Sequence, residues 1–211
     1  MNTDDHKNIL NIVDRYYSDK LSKFGTTPKG VDWNSLESQQ LRFEQLLKIC
    51  SEEDRFSIND YGCGYAALFK YLHNNNFNCD YYGFDISSGM VNTARQLYSN
   101  YPKFTVSLGS SAEKITDYSV ASGIFNVKLN IDQSKWKNYI ISVLDNMNRM
   151  SRKGFSFNCL TSYSDLEYMK EELYYGDPCY FFDHCKRYYS RNVALLHDYG
   201  LYEFTILVRK G

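Results

Sequence analysis

No stretch of this chain approaches the roughly 18 consecutive apolar residues of a membrane-spanning helix, so no membrane partner is expected. An excess of either charge is lacking too. The 24 basic and 25 acidic side chains leave a formal net charge of −1. No basic field is present to attract nucleic acid, and no nucleic-acid partner is expected. The first residues, Met1-Asn2-Thr3-Asp4-Asp5-His6, lack the basic-then-apolar order of a secretory signal, so a cytoplasmic location is expected. The six cysteines show no CxxC spacing, and reduced, mostly buried thiols are the expectation there. Cys179, His184 and Cys185 have no second ligand pair at zinc-type spacing, so no metal is expected. Repeats, low-complexity runs, a Gly-x-Ser-x-Gly elbow and a kinase-like loop are all missing.

What is present is aromatic: 20 Tyr, 13 Phe and 2 Trp. Tyrosine joins a large apolar face to a polar tip, which suits both a wet-edged core and a Tyr-lined pocket. The 211 residues favour one domain with a small appended cap. Ile9, Ile12, Val13, Tyr16, Tyr17, Leu21 and Phe24 recur at helical spacing and predict a helix over 5–23. The run Gly25-Thr26-Thr27-Pro28-Lys29-Gly30 breaks it, and a second helix follows with Asn34 as N-cap and Glu37 three residues on. Strands are predicted at 56–60, 80–84, 104–108, 118–122 and 154–159, with helices at 65–73, 87–99 and 134–150 between them. Beyond these, helices are predicted at 164–174 and from Ser190 to Tyr199, then a strand at 202–209. Such alternation implies crossovers and a largely parallel, doubly wound α/β sheet.

The most informative run is Ser57-Ile58-Asn59-Asp60-Tyr61-Gly62-Cys63-Gly64-Tyr65-Ala66, followed by the apolar stripe of Leu68, Phe69 and Leu72. It reads as a strand, a tight glycine turn and a helix start, where backbone N–H groups face whatever polar ligand sits there. Twenty-one residues after Gly64, Tyr81-Tyr82-Gly83-Phe84-Asp85 forms a second short strand ending in an acid. An acid at that place is positioned to accept hydrogen bonds from ribose hydroxyls. Together they suggest a nucleoside-containing cofactor. The dinucleotide fingerprint is partly met, with Ala67 in its third glycine place, so a nicotinamide-dependent oxidoreductase is one reading. It would need a substrate domain, and only about fifty residues follow the fifth strand, too few by typical domain sizes.

Asp60-x-Gly62-x-Gly64 resembles motif I of the class I S-adenosylmethionine (SAM)-dependent methyltransferases, and Gly83-Phe84-Asp85-Ile86 resembles their following acidic motif. The family's third glycine is replaced here by Ala66. The resemblance continues through Gly109-Ser110-Ser111-Ala112-Glu113, like the loop along the adenine, and 117–123, like strand four and its turn. It implies a Rossmann-like, mostly parallel sheet with an antiparallel last strand beside strand five. It also implies SAM as cofactor and methyl transfer to a small-molecule acceptor. On this reading residues 1–50 form an N-terminal helical cap or lid, and 51–211 the SAM-binding domain, in one compact unit. A methyltransferase-like module that binds SAM without turnover is the alternative. The motifs are silent on oligomeric state.

The resemblance marks Asp60, Gly62, Cys63, Gly64, Asp85, Ile86, Ser110, Ser111 and Ser122 as cofactor contacts. Arg42, 18 residues before Asp60, is a candidate for the cofactor carboxylate because a guanidinium fork matches a carboxylate. Trp33 is a candidate lid contact to cofactor or acceptor. Tyr16, Tyr17 and Phe125 are candidates for the acceptor pocket. His184 is the leading candidate general base, ahead of Tyr188 and His197. Methyl transfer from a sulfonium gains mainly from in-line placement and desolvation, so a base is not required. The nucleic-acid amine enzymes carry Asn/Asp-Pro-Pro-aromatic after strand four; this chain has Ser122-Gly123-Ile124-Phe125.

Overall fold

Short apolar strands separated by amphipathic helices pair in parallel only through crossovers, and this chain does so throughout its first half. The computed structural model describes residues 3–31, 35–50 and 54–211. The strands are β1 (Phe56–Tyr61), β2 (Cys79–Asp85), β3 (Phe104–Leu108), β4 (Thr116–Ala121), β5 (Ser151–Leu160), β6 (Asn192–Leu196) and β7 (Glu203–Arg209). The helices are α1 (Thr3–Phe24), α2 (Leu36–Leu47), α3 (Ala67–Asn74), α4 (Ser88–Tyr98), α5 (Gln133–Met150) and α6 (Pro178–Tyr188), with 3-10 turns at Pro28–Val31 and Leu166–Tyr168. The sheet order is β3-β2-β1-β4-β5-β7-β6. β1 to β5 run parallel, and β7 lies antiparallel between β5 and β6. This is the Rossmann-like, mostly parallel sheet expected from the sequence. Among the described residues no helix is long and apolar enough to cross a membrane.

Period-two alternation sends side chains to two cores. Phe155, Phe157 and Cys159 of β5 and Phe204, Ile206 and Val208 of β7 join Trp136, Ile140 and Phe181 on one face. Ile58, Tyr81, Val120 and Leu207 join Leu46, Leu68 and Leu72 on the other. The order of connection reverses between β1 and β4. Their carboxyl ends therefore splay apart and leave the crevice where open α/β sheets bind ligands. α1 is tied down near that edge: Ile9 is buried, the His6 ring lies 5.6 Å from that of Tyr139, and Ser18 Oγ is 2.9 Å from Ser87 Oγ.

Three elements differ from expectation. The predicted helix over 164–174 is a loop with one 3-10 turn, because its backbone pairs elsewhere. Tyr174 N–H donates to the Asn126 carbonyl at 2.8 Å, and Glu172 O accepts from Lys128 and Leu129 N–H at 3.0 and 2.8 Å. The helix instead comes at α6, where the Asp177 carboxylate caps Cys179 and Tyr180 N–H and Pro178 takes the first turn. The predicted helix from Ser190 is the edge strand β6; the Ser190 hydroxyl donates to the Arg209 carbonyl of β7 rather than capping a helix. Asn34 lies outside the described residues, and Ser35 caps α2 by accepting from Ser38 N–H at 3.1 Å.

Candidate functional site

The turn after β1 is set by two glycines in the left-handed region, Gly62 at φ +66 and Gly64 at φ +56. Gly62 and Cys63 N–H both donate to the Phe84 carbonyl, at 3.0 and 3.1 Å, which lashes the turn to the end of β2. A Cβ on Gly62 would stand 2.4 Å from Ile124 Cγ2, and one on Gly64 3.2 Å from Val31 Cγ1. Ala66, the residue in place of a third glycine, also adopts the left-handed region at φ +63 and opens α3 without a side-chain cap. Alanine is the smallest side chain that bears that conformation's cost, about 1–2 kcal/mol.

Two carboxylates flank the turn. Asp85 Oδ2 accepts from Gly64 N–H at 2.9 Å and Oδ1 from Ser87 N–H at 2.8 Å. Burial pushes its pKa up, the Ser87 and Gly64 N–H bonds oppose this, and the Asp14 carboxylate adds to the rise. Asp60 is buried and accepts from Tyr81 Oη at 2.6 Å. Burial pushes Asp60 up to about 7, against the Tyr81 hydrogen bond and with help from the Asp85 charge. The Cys63 thiol is held far above its ordinary value by burial and by the Asp85 and Asp60 carboxylates, so it is a neutral wall group.

These groups border an open cavity at the carboxyl ends of β1, β2 and β4. Asp60, Gly62, Asp85, Ile86, Met90 and Ser110 line it. Val13 and Tyr17 reach it from α1, Val31 from the first 3-10 turn, and Gln39 and Phe43 from α2. Among the described residues, no Lys, Arg or His lines it. Among the described residues the buried Ser122 hydroxyl, on the β4 turn, has no hydrogen-bond partner.

The profile of the methyltransferase domain matches residues 59–158, the span from Asn59 on β1 to Asn158 on β5. "Putative methyltransferase Rv1506c" of Mycobacterium tuberculosis (strain ATCC 25618 / H37Rv) is 53% identical over 165 residues, 78% of this chain and 99% of that protein. The chain belongs to the class I SAM-dependent methyltransferase family. The fold agrees. Magnesium protoporphyrin IX methyltransferase of Synechocystis PCC 6803, solved with bound SAM, superposes with a TM-score of 0.65 at 11% identity, covering 100% of both chains. Human N-acetylserotonin methyltransferase with SAM gives 0.61 at 17% identity over 91% of this chain and 62% of that one. The DhpI–SAH complex gives 0.63 at 10% identity over 96% of this chain and 97% of that one. At such identities the likeness is one of fold.

The methyltransferase cavity gathers Asp60, Gly62, Cys63, Gly64, Asp85, Ile86, Ser110, Ser122 and Tyr17 from the residues singled out in the sequence. Ser111 is exposed and lies off the lining. Tyr16 is also off it, packed edge-on to Tyr17 at 5.2 Å. Trp33 lies outside the described residues. Three expectations need correction. Arg42 does not face the cavity, because its fork is engaged by the buried Glu203 carboxylate at 2.7–2.9 Å. Phe125 is core: its ring packs edge-on to Phe157 at 5.8 Å, and its carbonyl accepts from Trp136 Nε1 at 2.8 Å. His184 sits on α6 among Tyr180, Tyr188 and Tyr189, its Nε2 3.2 Å from Tyr189 Oη. Burial lowers its pKa against the opposing Asp145 and Asp183 charges, and it is not a cavity residue. Tyr139 and Val143 were missed as lining residues. Tyr139 lies three residues after Trp136 on the apolar stripe of α5, and that spacing was the available signal.

Proposed function

We propose that this methyltransferase moves the methyl group of SAM to a small-molecule acceptor bound beneath α1. One observation carries the reading: the cavity presents two carboxylates and the glycine turn, with no basic side chain on its lining among the described residues. That donor set suits a cationic cofactor. A dinucleotide pyrophosphate would seek cationic or multiple N–H partners. Bound there, SAM supplies a methyl group on a sulfonium for displacement by a nucleophile.

In this reading Asp85 accepts from the ribose hydroxyls, and Asp60 holds the positive amino group. Gly62, Cys63 and Gly64 let the backbone approach closely, Ile86 and Ser110 lie along the base, and Ser122 offers its unpaired hydroxyl. Tyr17, with Val13 from the same helix, excludes water on the acceptor side. Among the described residues no histidine lines the cavity, and in this reading placement and desolvation carry the transfer. The test is to incubate the chain with SAM and a metabolite extract and measure S-adenosylhomocysteine (SAH). We expect SAH formation with a matching methylated small molecule. SAM bound and released unchanged from every extract would be the behaviour of a binding module and would refute the reading.

Asp60 gives a pH signature. Its folded value of about 7 lies above the ordinary 3.8. The folded chain therefore keeps a proton that the unfolded chain loses over this window, and that contribution to stability disappears as pH rises through about 7. Only the ionised acid attracts the amino group. SAM affinity should rise about eightfold from pH 6 to 7.5, in proportion to the ionised fraction. Asp60→Asn should flatten the profile; calorimetric titration across that range checks it.

The 1–50 segment acts as a lid in this reading. Val13, Tyr17 and Val31 come from it to the cavity. Closure over cofactor would expel water from the transfer site. Hydrogen exchange should slow across residues 3–31 when SAM is added. Equal exchange with and without SAM would make the segment a fixed cap.

A further inference from the structure

A buried chain of polar groups drawn from three distant parts of the sequence ends on the wall of the cofactor cavity. It begins on α2. Arg42 Nε donates to Glu203 Oε1 and Oε2 at 2.9 and 2.8 Å, Nη2 donates to Oε1 at 2.7 Å, and Nη1 donates to the Ser38 carbonyl at 2.7 Å. Glu203 opens β7 and is 1% exposed. Its Oε2 also accepts from Asn158 Nδ2 at 3.1 Å. Asn158, on β5, is fully buried, and its Oδ1 accepts from Gly123 N–H at 2.7 Å. Gly123 lines the cavity, and the neighbouring Ile124 is the residue packed on Gly62.

An amide has one donor end and one acceptor end, whereas a carboxylate only accepts. The Glu203 carboxylate therefore takes the Asn158 NH2 and leaves the carbonyl oxygen for Gly123. Turned over, the amide would set oxygen against carboxylate and NH2 against N–H, two mismatches in a buried place. The ion pair decides which way the amide points, and the amide fixes the turn. Stability alone does not account for the pair, since well-packed apolar replacements of buried ion pairs are often neutral or better.

We propose that Asn158 is a positioning residue for the cofactor, its amide oriented by the Arg42–Glu203 pair so that the Ser122–Gly123–Ile124 turn is held against Gly62. This deepens the reading above and rests on SAM occupying the cavity. The test uses the full chain carrying Arg42→Met with Glu203→Leu, which swaps the ion pair for apolar bulk. Melting temperature, SAM dissociation constant by calorimetry and the Gly123 amide resonance by NMR are measured together. The chain should stay folded with a melting temperature lowered by a few degrees, because the buried Asn158 NH2 loses its acceptor. SAM should bind at least about tenfold more weakly, and the Gly123 amide proton should shift upfield as the Asn158 amide loses its fixed orientation. SAM affinity at the wild-type level in the folded double variant, or an unmoved Gly123 resonance, overturns the proposal. If the double variant does not fold, Asn158→Ala is compared with Phe155→Leu, a core change on the same strand away from the cavity. Weakened SAM binding in Asn158→Ala but not in Phe155→Leu supports positioning; equal effects, or none, overturn it. Were the wild-type chain not to bind SAM at all, the functional reading would fall, while the Gly123 resonance would still decide the relay.

Discussion

Asp85→Ala should weaken SAM binding by ten- to a hundredfold in a chain that stays folded. Two effects combine. The ribose hydroxyls lose their acceptor, and hydrogen bonds to a charged group are each worth about 1.5–3 kcal/mol. The turn also loses its anchor, because the same carboxylate accepts from Gly64 N–H at 2.9 Å and Ser87 N–H at 2.8 Å. The fold should tolerate the change, since relieving a half-buried carboxylate offsets part of what is lost. Asp85→Asn keeps the size and one acceptor and should fall between wild type and Ala. Calorimetry at one pH checks the series. An unchanged dissociation constant in folded Asp85→Ala would reject the ribose assignment.

Gly62→Val should abolish measurable SAM binding. The position sits at φ +66, a conformation that costs a β-branched residue about 1–3 kcal/mol. Space is lacking as well: the first added carbon would lie 2.4 Å from Ile124 Cγ2, on the turn that borders the cavity. Strain and clash both push the turn out of place. Gly64→Val acts in the same direction with less crowding, its nearest contact being Val31 Cγ1 at 3.2 Å. The melting temperature should fall by several degrees for Gly62→Val. A folded Gly62→Val chain with ordinary SAM affinity would mean that the glycine turn is not the cofactor site.

Local signals carried most of the sheet. The predicted strand at 104–108 coincides with β3, and those at 56–60 and 80–84 lie within one residue of β1 and β2, because apolar alternation and glycine punctuation are written within a few residues. β6 and α6 were hidden by competing local cues. Ser190 looks like a helix cap until β7 is beside it, and Gly176-Asp177-Pro178 looks like a break although Asp followed by Pro also starts a helix. The acids and glycines of the site were legible because their spacing is fixed by one βαβ unit. Arg42 was not: its partner Glu203 lies 161 residues away, and only the insertion of β7 beside β5 brings them together. The same holds for Phe125, which ends among core rings rather than at the cavity a few residues away, and for the α1 roof, which depends on how a helix docks.

The cavity beside Asp60 and Asp85 is the proposed SAM site. Calorimetric titration of the wild-type chain with SAM, with NAD titrated in parallel, tests it most directly. Saturable one-to-one binding of SAM, with no heat from NAD, is expected. Saturable binding of NAD with no heat from SAM would contradict it.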